Sequence, residues 1–343
     1  MVPTCLRLGS GRIGELISLR VIDATSTAEL LPYPALIDAL ATAFALGDEA
    51  ATAPPRLHYS IPEPASAGPS TGQGADRTLL IMPSWAHDAG VVVKLVNVVP
   101  SNSARSLAAI QAQVLVADAT TGAWSTLIDG ATLTARRTAA ASALAARYLA
   151  PKDAKTLLIV GTGRLSLELA RAHMSVRPSI QRILIWGRNQ AKAQVIADQL
   201  DNAKVATNLE QACGSADLIS CCTLSNQALV KGAWVKPNTH IDLVGAYRPD
   251  LRETDGELVA KSQVFVDTYA GASGEAGDLL QAAAEGHFKM AEIQADLHQL
   301  AQNGYSRPAQ AITLFKSVGA SIEDFVAARM VANALANPAQ GKT

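Results

Sequence analysis

Two glycines and their neighbours form a segment suited to holding a phosphate group. Gly161-Thr162-Gly163 directly follows the apolar run TLLIV and precedes a helical pattern that begins LSLELARA. The first glycine permits a sharp turn, the second lets a pyrophosphate approach the backbone, and the helix N-terminus offers free N–H groups to an anion. Ser166 replaces the third glycine of the usual fingerprint and is small enough for close packing. The motif alone is weak evidence, so its place in the fold decides.

The next strand-like run ends with residues that discriminate between two cofactors. After RILIW the chain has Gly187-Arg188-Asn189, where an enzyme that uses NAD would carry an Asp or Glu to accept hydrogen bonds from the adenosine ribose. No carboxylate is present there to repel a 2′-phosphate, and Arg188 offers a planar guanidinium that can grip one. The sequence therefore predicts NADP(H). The alternative is a solvated arginine on a surface loop.

Further residues are expected around the dinucleotide. Thr223 follows the fourth strand and would lie at the carboxyl edge of the sheet, where the nicotinamide half reaches, although capping of the next turn is equally plausible. Arg164, directly after the glycines, offers another contact to phosphate. The complete set of expected cofactor-binding residues is Gly161, Thr162, Gly163, Arg164, Leu165, Ser166, Arg188, Asn189, Thr223 and Thr138.

Three cationic residues lie in apolar or small-residue surroundings. Lys94 interrupts GVVVKLVNVV, Arg56 follows two prolines, and Arg137 lies in the alanine-rich run TARRTAAAS. A lone charge in such a run normally faces solvent, but a buried cation requires a counter-anion. The three cations together indicate a site for a carboxylate ligand. Arg136 and Arg137 are about 100° apart on a helix, so they cannot both face one pocket squarely.

Two other charged residues are weaker candidates for a role in the site. Asp278, in SGEAGDLL, stands at a predicted helix start, where a carboxylate stabilises the helix dipole. Lys316-Ser317 is a weaker candidate for an approach to the nicotinamide.

The overall composition excludes several classes of function. The 343 residues are 49% hydrophobic and carry a formal net charge of -1, without a basic stripe for nucleic acid. The start MVPTCLRLGSGRIGELIS lacks the apolar core of a secretory signal, and no run of about 18 apolar residues occurs, so we expect a cytoplasmic protein that does not enter a membrane. Neither the cysteines nor the histidines show metal-ligand spacing, and no metal is expected. The four cysteines, expected to be reduced thiols, are Cys5, Cys213, Cys221 and Cys222.

The elements that must position these residues fall into two groups. From about residue 155 onward, helical patterns alternate with the strand-like runs KTLLIV, RILIW, KVAT, DLISCC, THIDLVG and SQVFVDT. Short, continuously apolar strands are typical of a parallel sheet that is covered on both faces. This half is predicted to be a Rossmann-type, doubly wound α/β domain, with the Gly-x-Gly segment at the end of its first strand.

The first part of the chain differs in kind. LPYPALIDALATAFALG predicts a helix, TLLIMPSW, GVVVKLVNVVP and AAIQAQVLVAD predict strands, and IPEPASAGPSTGQGAD predicts a long loop, which together indicate a mixed α+β domain. LTARRTAAASALAARYLA predicts a helix that connects the halves, and IEDFVAARMVANALA predicts a last helix that packs back on the first domain. We expect one domain from residues 1–135 with 315–343 and a second from 136–314.

The chain resembles the ornithine cyclodeaminase/μ-crystallin family. The matching stretches, from about Ile81 to Ala328, are GVVVKLVNVVPSN, VLVADATTGAWSTLIDGATLTARRTAAASALAARYL, IVGTGRLS, IWGRN and ITLFKSVGASIEDFVAA. The resemblance implies a homodimer in which the N-terminal domain, joined by the C-terminal helix, binds substrate and forms the dimer interface. It also implies that Arg56, Lys94 and Arg137 are the catalytic-site residues that hold a substrate carboxylate near the nicotinamide. The family motif Leu-Thr-Ala-x-Arg-Thr favours Arg137 over its neighbour.

Departures from the family pattern bear on the reaction. Cyclodeaminases carry a catalytic Asp in Gly-Gly-Asp-Cys-Pro-Gly-Lys beyond the fifth strand, and Tyr247 stands at that position here, in the run GAYRPD. A Thr of the cyclodeaminases corresponds to Ala109. Without a carboxylate to activate an amine or water, loss of ammonia from ornithine lacks support. The runs SLAAIQ, which begins at Ser106, and YRPD resemble the ketimine reductases of the family.

The resemblance therefore implies NADPH-dependent reduction of cyclic imines that carry a carboxylate, Δ1-pyrroline-2-carboxylate to L-proline and Δ1-piperideine-2-carboxylate to L-pipecolate. A protonated ring nitrogen makes an electrophilic iminium, so the protein needs mainly to hold the carboxylate and bring the imine carbon to the nicotinamide. Lys94 could also relay a proton, but an electrostatic clamp is the simpler role. The alternatives are a cyclodeaminase, an alanine dehydrogenase-like enzyme, or a μ-crystallin-like protein that binds NADPH and a small ligand without turnover.

Overall fold

The computed structural model describes residues 19–62, 77–105 and 107–336. Cys5, Ser106 and most of the loop predicted from IPEPASAGPSTGQGAD lie outside the described residues. The described chain is an α/β structure built on two sheets, and this confirms the predicted fold class.

The first sheet contains six strands from the N-terminal part of the chain. They are β1 (Arg20–Ile22), β2 (Leu57–Ile61), β3 (Arg77–Ala86), β4 (Gly90–Val98), β5 (Ile110–Ala117) and β6 (Trp124–Asp129). Their spatial order is β1-β6-β5-β4-β3-β2, with β1 parallel to β6 and the neighbours from β2 to β6 antiparallel. The sequence predicted the central strands β3, β4 and β5. It gave no signal for the short edge strand β1, because three residues show too little alternation.

Side chains of the central strands alternate between the two faces of this sheet. Met82, Lys94, Val114 and Ile128 occupy one row across β3 to β6, and all four are buried. The opposite face also carries apolar side chains, including Trp85 and Val91, which pair across β3 and β4 and are 42% and 37% exposed. The sheet therefore has one face in the core and one apolar face at the surface.

The second sheet contains eight strands, all parallel. They are β7 (Thr156–Val160), β8 (Arg182–Trp186), β9 (Ala203–Val205), β10 (Leu218–Cys221), β11 (His240–Leu243), β12 (Gln263–Val266), β13 (Ala295–Asp296) and β14 (Thr313–Lys316). The spatial order is β13-β12-β14-β11-β10-β7-β8-β9. Since β7 has β8 on one side and β10 on the other, the order reverses direction at β7, which is where open α/β sheets bind ligands.

The sequence patterns indicated six of these eight strands. β14 was not assigned, although it inserts between β11 and β12 in the middle of the sheet. A strand of only four residues, Thr-Leu-Phe-Lys, cannot be distinguished from a loop by its pattern, and only its pairing with two neighbours reveals it. Because β14 is parallel to its neighbours, the chain leaves the carboxyl edge of the sheet at Lys316 and then enters the last helix.

Eleven helices of the described residues surround the sheets. They are α1 (Ala24–Glu29), α2 (Tyr33–Leu46), α3 (Gly130–Leu149), α4 (Arg164–Val176), α5 (Gln190–Ala197), α6 (Leu209–Ser215), α7 (Gly256–Ala260), α8 (Tyr269–Glu275), α9 (Gly277–Ala284), α10 (Leu297–Asn303) and α11 (Ser321–Ala336). α2, α3 and α11 correspond to the three long helices that the sequence predicted.

The helix α3 connects the two sheets. It contacts β4, β5 and β6 of the first sheet, β11 and β14 of the second, and also α4 and α11. The alanines from Ala139 to Ala146 are buried, and their small side chains let neighbouring elements approach closely. α11 packs on β3, β4 and β5, so the last described helix packs on the first sheet as predicted. The expected domain boundaries after residues 135 and 314 fall inside α3 and β14.

Within the described ranges, no helix combines the length and the apolar character needed to cross a membrane.

Candidate active site

The turn after β7 is shaped by glycines. Gly161 has a φ of 141°, a left-handed conformation that disfavours other residues, and its N–H donates to the Trp186 carbonyl at 2.9 Å. A Cβ on Gly161 would lie 2.7 Å from Cys222 Sγ, and one on Gly187 would lie 2.4 Å from Thr162 Cγ2. The backbone therefore passes so closely beside its neighbours that side chains at these two positions would displace it.

The N-terminus of α4 has the features of an anion site. Gly163 is its N-cap residue, and among the described side chains none caps it. A Cβ on Gly163 would meet nothing within 4 Å, so open space lies beside the first turn of the helix. Arg164 is exposed at this end, and the buried Ser166 lies with its Oγ 3.4 Å from Cys222 Sγ. Uncapped N–H groups and a clear approach fit a pyrophosphate, which supplies the acceptors that the helix end lacks.

The end of β8 carries the residues that were expected to select the cofactor. Arg188 and Asn189 are both exposed beyond Trp186. Asn189 caps α5, since its side chain accepts a hydrogen bond from Lys192 N at 3.1 Å. Capping gives Asn189 a structural role, whereas the Arg188 guanidinium remains accessible to a phosphate at this corner of the sheet.

Thr223 lies two residues after the end of β10, next to the reversal point of the sheet. Its N–H and its Oγ1 both donate to Glu253 Oε1, at 2.6 and 2.9 Å. Glu253 was not singled out in the sequence, because nothing in the run LRETD distinguishes a buried acid from a solvated one. Thr138, the remaining expected cofactor residue, lies buried on α3.

Two of the three predicted cations, Lys94 and Arg137, pair with acidic residues of α11. Lys94 Nζ donates to Asp324 Oδ1 at 2.8 Å, and Arg137 donates through Nε to the same oxygen at 2.9 Å and through Nη1 to Glu323 Oε2 at 2.6 Å. Lys94, Arg137, Glu323 and Asp324 are all buried. Buried cations need a counter-anion, and the protein itself supplies one through Asp324 and Glu323.

Arg56 joins the cluster from the other side. Its Nη2 donates to the carbonyls of Val318 and Gly319, at 3.0 and 2.5 Å, and lies 3.3 Å from Glu275 Oε2. The loop that offers these carbonyls is fixed by Asp267, whose Oδ2 accepts hydrogen bonds from Val318 N at 2.7 Å and Gly319 N at 2.6 Å. Because this loop begins at the end of β14, the cations lie at the carboxyl edge of the second sheet.

Glu323, Asp324 and Glu275 are functional candidates that the sequence analysis missed. Glu323 and Asp324 occupy the first turn of α11, where acidic residues are common for dipole reasons alone. The sequence did contain one signal for their burial. In the run IED, two adjacent acids stand at the start of an otherwise apolar helix, which is unusual for a first turn that faces solvent. Only the packing of α11 against α3 and β4 shows which cations they contact.

Burial sets the protonation behaviour of this cluster. Burial and the charge of Arg137 lower the pKa of Lys94 to about 7, against the opposing effect of Asp324. Burial also raises the pKa of Glu323 to about 7, although Arg137 opposes this. The cations Arg137 and Lys94 outweigh burial at Asp324 and hold the pKa of that carboxyl below its usual value.

The neighbouring arginine, Arg136, points elsewhere. Its guanidinium lies 3.1 Å from Glu168 Oε2, donates to the Ala28 carbonyl at 2.9 Å, and stacks 4.2 Å from the centre of the Tyr33 ring. These contacts join α3 to α1, α2 and α4. The structure therefore separates the two arginines, as their positions on the helix predict.

Tyr247 lies on the loop after β11, half-buried against the core of the second sheet. Burial raises its pKa, and the positive charges of Arg248 and Arg56 oppose this. A tyrosine that stays protonated at neutral pH cannot act as the carboxylate base of a cyclodeaminase. Within the described ranges, no three His, Cys, Asp or Glu side chains are grouped to hold a metal ion.

The chain is similar to known proteins along most of its length. The family model for ornithine cyclodeaminase/mu-crystallin matches residues 24–338. An uncharacterized protein of Schizosaccharomyces pombe is 42% identical, over 91% of this chain and 96% of its own length. Delta(1)-pyrroline-2-carboxylate reductase of Paracoccus denitrificans is 34% identical, over 78% of this chain and 85% of its own.

A solved structure resembles the whole described fold. Delta(1)-pyrroline-2-carboxylate reductase of Thermococcus litoralis, in complex with NADH and L-proline, matches with a TM-score of 0.85 and 30% identity, over 93% of this chain and 98% of that chain. These relatives show that the chain is a nicotinamide-dependent oxidoreductase. The chain belongs to the ornithine cyclodeaminase/mu-crystallin family.

Proposed function

We propose that this protein is an NADPH-dependent reductase of cyclic ketimine carboxylates, which converts Δ1-pyrroline-2-carboxylate to L-proline and Δ1-piperideine-2-carboxylate to L-pipecolate. The observation that carries the proposal is the position of Arg56, Lys94 and Arg137 at the carboxyl end of β14, on the sheet edge that also holds Thr223. Cations that can hold a carboxylate thus lie at the edge where the nicotinamide half of a dinucleotide reaches.

The residues of this chain supply binding and orientation. The nicotinamide cofactor supplies the hydride, which adds to the imine carbon, while the ring nitrogen carries the proton that completes the amine. The cation cluster is assigned to the substrate carboxylate, and this fixes the ring with its C=N bond toward the cofactor. The turn at Gly161, the N-terminus of α4 and Thr223 are assigned to the dinucleotide.

The charge balance of the cluster supports a carboxylate ligand. Asp324 and Glu275 offer two negative charges against the three cations, and Glu323, with a pKa of about 7, is largely protonated below that pH. Below pH 7, where Lys94 is also largely charged, the groups that form these ion pairs retain one positive charge that an anionic substrate can neutralise. The relatives named pyrroline-2-carboxylate reductases support the ring imine as that substrate.

The proposal of NADPH over NADH rests on Arg188 and on the lack of an acidic residue in Gly187-Arg188-Asn189. The remaining expected cofactor contacts, at Thr162, Leu165 and Thr138, belong to the same proposal.

We propose further that the protein works as a homodimer. The apolar outer face of the first sheet, where Val21 is 71% exposed on the same face as Trp85 and Val91, supports the burial of this face against a second copy. The division into a substrate-binding and dimerisation domain (1–135 with 315–343) and a dinucleotide domain (136–314) belongs to this proposal.

The test is the loss of NADPH absorbance on addition of substrate. Each cyclic imine, pyruvate with ammonia, and ornithine with oxidised cofactor are assayed with the phosphorylated and the unphosphorylated dinucleotide. We expect turnover of the cyclic imines with NADPH and none with ornithine. Tight binding of both ligands without turnover would instead support a μ-crystallin-like binding protein, and ammonia release from ornithine would support a cyclodeaminase.

A further inference from the structure

A buried carboxylate joins the two loops that leave the centre of the second sheet. Glu253 is fully buried, and its two oxygens contact different loops. Oε1 accepts hydrogen bonds from Thr223 N and Oγ1, in the loop after β10, and Oε2 accepts one from Gly245 N at 2.6 Å, in the loop after β11. One side chain thereby satisfies three donors at the reversal point of the sheet.

These two loops are packed tightly against each other. A Cβ on Gly245 would lie 1.8 Å from the Thr223 carbonyl oxygen and 2.7 Å from Glu253 Oε1. Gly245 is followed two residues later by Tyr247, so the same carboxylate holds the loop that carries the tyrosine. The position of Thr223 thus depends on Glu253 and Gly245 together.

A second layer of buried charge holds Glu253 itself. Asp278 Oδ1 accepts hydrogen bonds from Glu253 N at 2.6 Å and Thr254 N at 3.0 Å. Lys316 Nζ lies 3.6 Å from Asp278 Oδ2 and donates to the Leu243 carbonyl at 3.1 Å. The sequence assigned Asp278 to a helix dipole and Lys316 to the nicotinamide; in the structure both are fully buried and serve this network.

We propose that Glu253 is a positioning residue that presents Thr223 to the nicotinamide half of the dinucleotide by clamping the loops after β10 and β11. The inference rests on the proposed cofactor site. Glu253 itself is buried behind Thr223 and acts through it. Glu253 lies in the segment between β11 and α7, and three donors from the loops after β10 and β11 are aimed at its buried carboxylate. It therefore orders backbone that would otherwise lack these partners.

The experiment measures binding without any imine. Dissociation constants are determined for NADPH and for 2′-phospho-ADP-ribose, which lacks the nicotinamide, with wild type and Glu253→Gln. The amide side chain keeps the size but loses one acceptor, so we expect the Kd of NADPH to rise about 10-fold and that of the fragment to stay within about 2-fold. If the substitution raised both Kd values equally, or changed neither, the proposal would be overturned.

The control is Glu257→Gln, an exposed acid on α7 in the same segment, with an expected change below about 2-fold for either ligand. A double-variant cycle adds a readout that general loosening of the fold would not produce. In a Thr223→Val background, the effect of Glu253→Gln on NADPH binding should shrink to within about 2-fold, because the group it acts through is gone. If the effects of Glu253→Gln and Thr223→Val on the free energy of NADPH binding were fully additive, the proposal would be contradicted.

Wild-type protein provides a test that does not depend on the folding of a variant. Burial and the nearby Asp278 raise the pKa of Glu253 to about 7, while Lys316 and the donors from Thr223 and Gly245 oppose this. Cys221, whose own pKa is raised by burial, also faces it from β10. Since a protonated carboxyl accepts fewer hydrogen bonds, the ratio of the NADPH Kd to the fragment Kd should rise several-fold from about pH 8 to about pH 6.

Taking the ratio cancels the titration of the phosphate groups, which both ligands share. A ratio that is independent of pH would contradict the proposal. The outcome is separate from the proposed reaction: if wild type bound NADPH in the expected way but reduced no imine, the proposed function would fail and the positioning role would stand.

Discussion

Lys94 on β4 and Asp324 on α11 form an ion pair across 230 positions of sequence, with Nζ 2.7 Å from Oδ2 and both side chains buried. Arg137 on α3 contacts the same carboxylate. One internal acid therefore orders two of the three cations, and it holds β4, α3 and α11 in a fixed relation.

Removal of the Asp324 charge is expected to destabilise the protein. Asp324→Asn leaves two buried cations without their shared counter-ion, and such a loss typically lowers the free energy of unfolding by about 3–5 kcal/mol. Urea denaturation followed by circular dichroism measures it. The matched control is Asp250→Asn, an exposed partner of Arg248, which should change the free energy by less than about 0.5 kcal/mol. Equal, small effects of both substitutions would contradict the role of Asp324.

Binding of a carboxylate should weaken as the pH rises through about 7. Lys94 has its pKa lowered to about 7 and loses its positive charge above it, while Glu323 has its pKa raised to about 7 and gains a negative charge over the same range. Both changes make the cluster less attractive to an anion at high pH. The Kd of furan-2-carboxylate, whose charge is constant in this range, should rise about 10-fold or more between pH 6 and pH 9.

Lys94→Arg serves as the comparison for this pH dependence, because a guanidinium stays charged throughout that range. Its Kd should rise more shallowly with pH than that of wild type. If the Kd of wild type did not change with pH, or fell as the pH rose, Lys94 and Glu323 would not govern ligand binding.

The two adjacent arginines of α3 should respond differently to the same substitution. Arg137→Lys loses the geometry that contacts Asp324 and Glu323 together, and kcat/KM for the cyclic imine should fall about 100-fold. Arg136→Lys can keep its pairing with Glu168, so a change below about 3-fold is expected. Comparable losses for both variants would mean that Arg137 has no special place in the site.

Substitution at Arg188 should change the cofactor preference. Arg188→Asp places a carboxylate where a 2′-phosphate is proposed to bind, so KM for NADPH should rise about 100-fold, and NADH should become the better substrate. Lys204→Asp, at an exposed position on β9, controls for the charge change alone. If wild type uses NADH as well as NADPH, the interpretation of Arg188 is wrong.

Gly319 provides a test of how the cluster is packed. Its φ is 84°, and a Cβ there would lie 2.6 Å from Arg137 Nη1, whereas Gly286 has a φ of 80° with nothing within 4 Å of such a Cβ. Gly319→Ala and Gly286→Ala therefore share the backbone strain of about 1 kcal/mol or more. Only Gly319→Ala displaces Arg137, so kcat/KM for the imine should fall about 10-fold in that variant and less than about 2-fold in the other. Parallel losses would point to strain alone.

Much of the dinucleotide half could be predicted because its signals are local. The run from Thr156 to Ser166 combines a strand, a turn and a helix start within one short segment, and each residue there responds to its immediate neighbours. The long helices α2, α3 and α11 were predictable for the same reason. β14 was not, since its identity depends on pairing with β11 and β12, which lie far away in sequence.

By itself, the sequence determined the fold class, the glycine turn between β7 and α4, and the three cations that stand out in apolar surroundings. Only the tertiary structure decided which acids face these cations, because Asp324, Glu323 and Glu275 look like ordinary polar residues along the chain. The same holds for Glu253, which the fold places against Thr223 and Gly245. A charge becomes functional through the groups that surround it once water is removed, and those groups come from elements that meet only when the chain has folded.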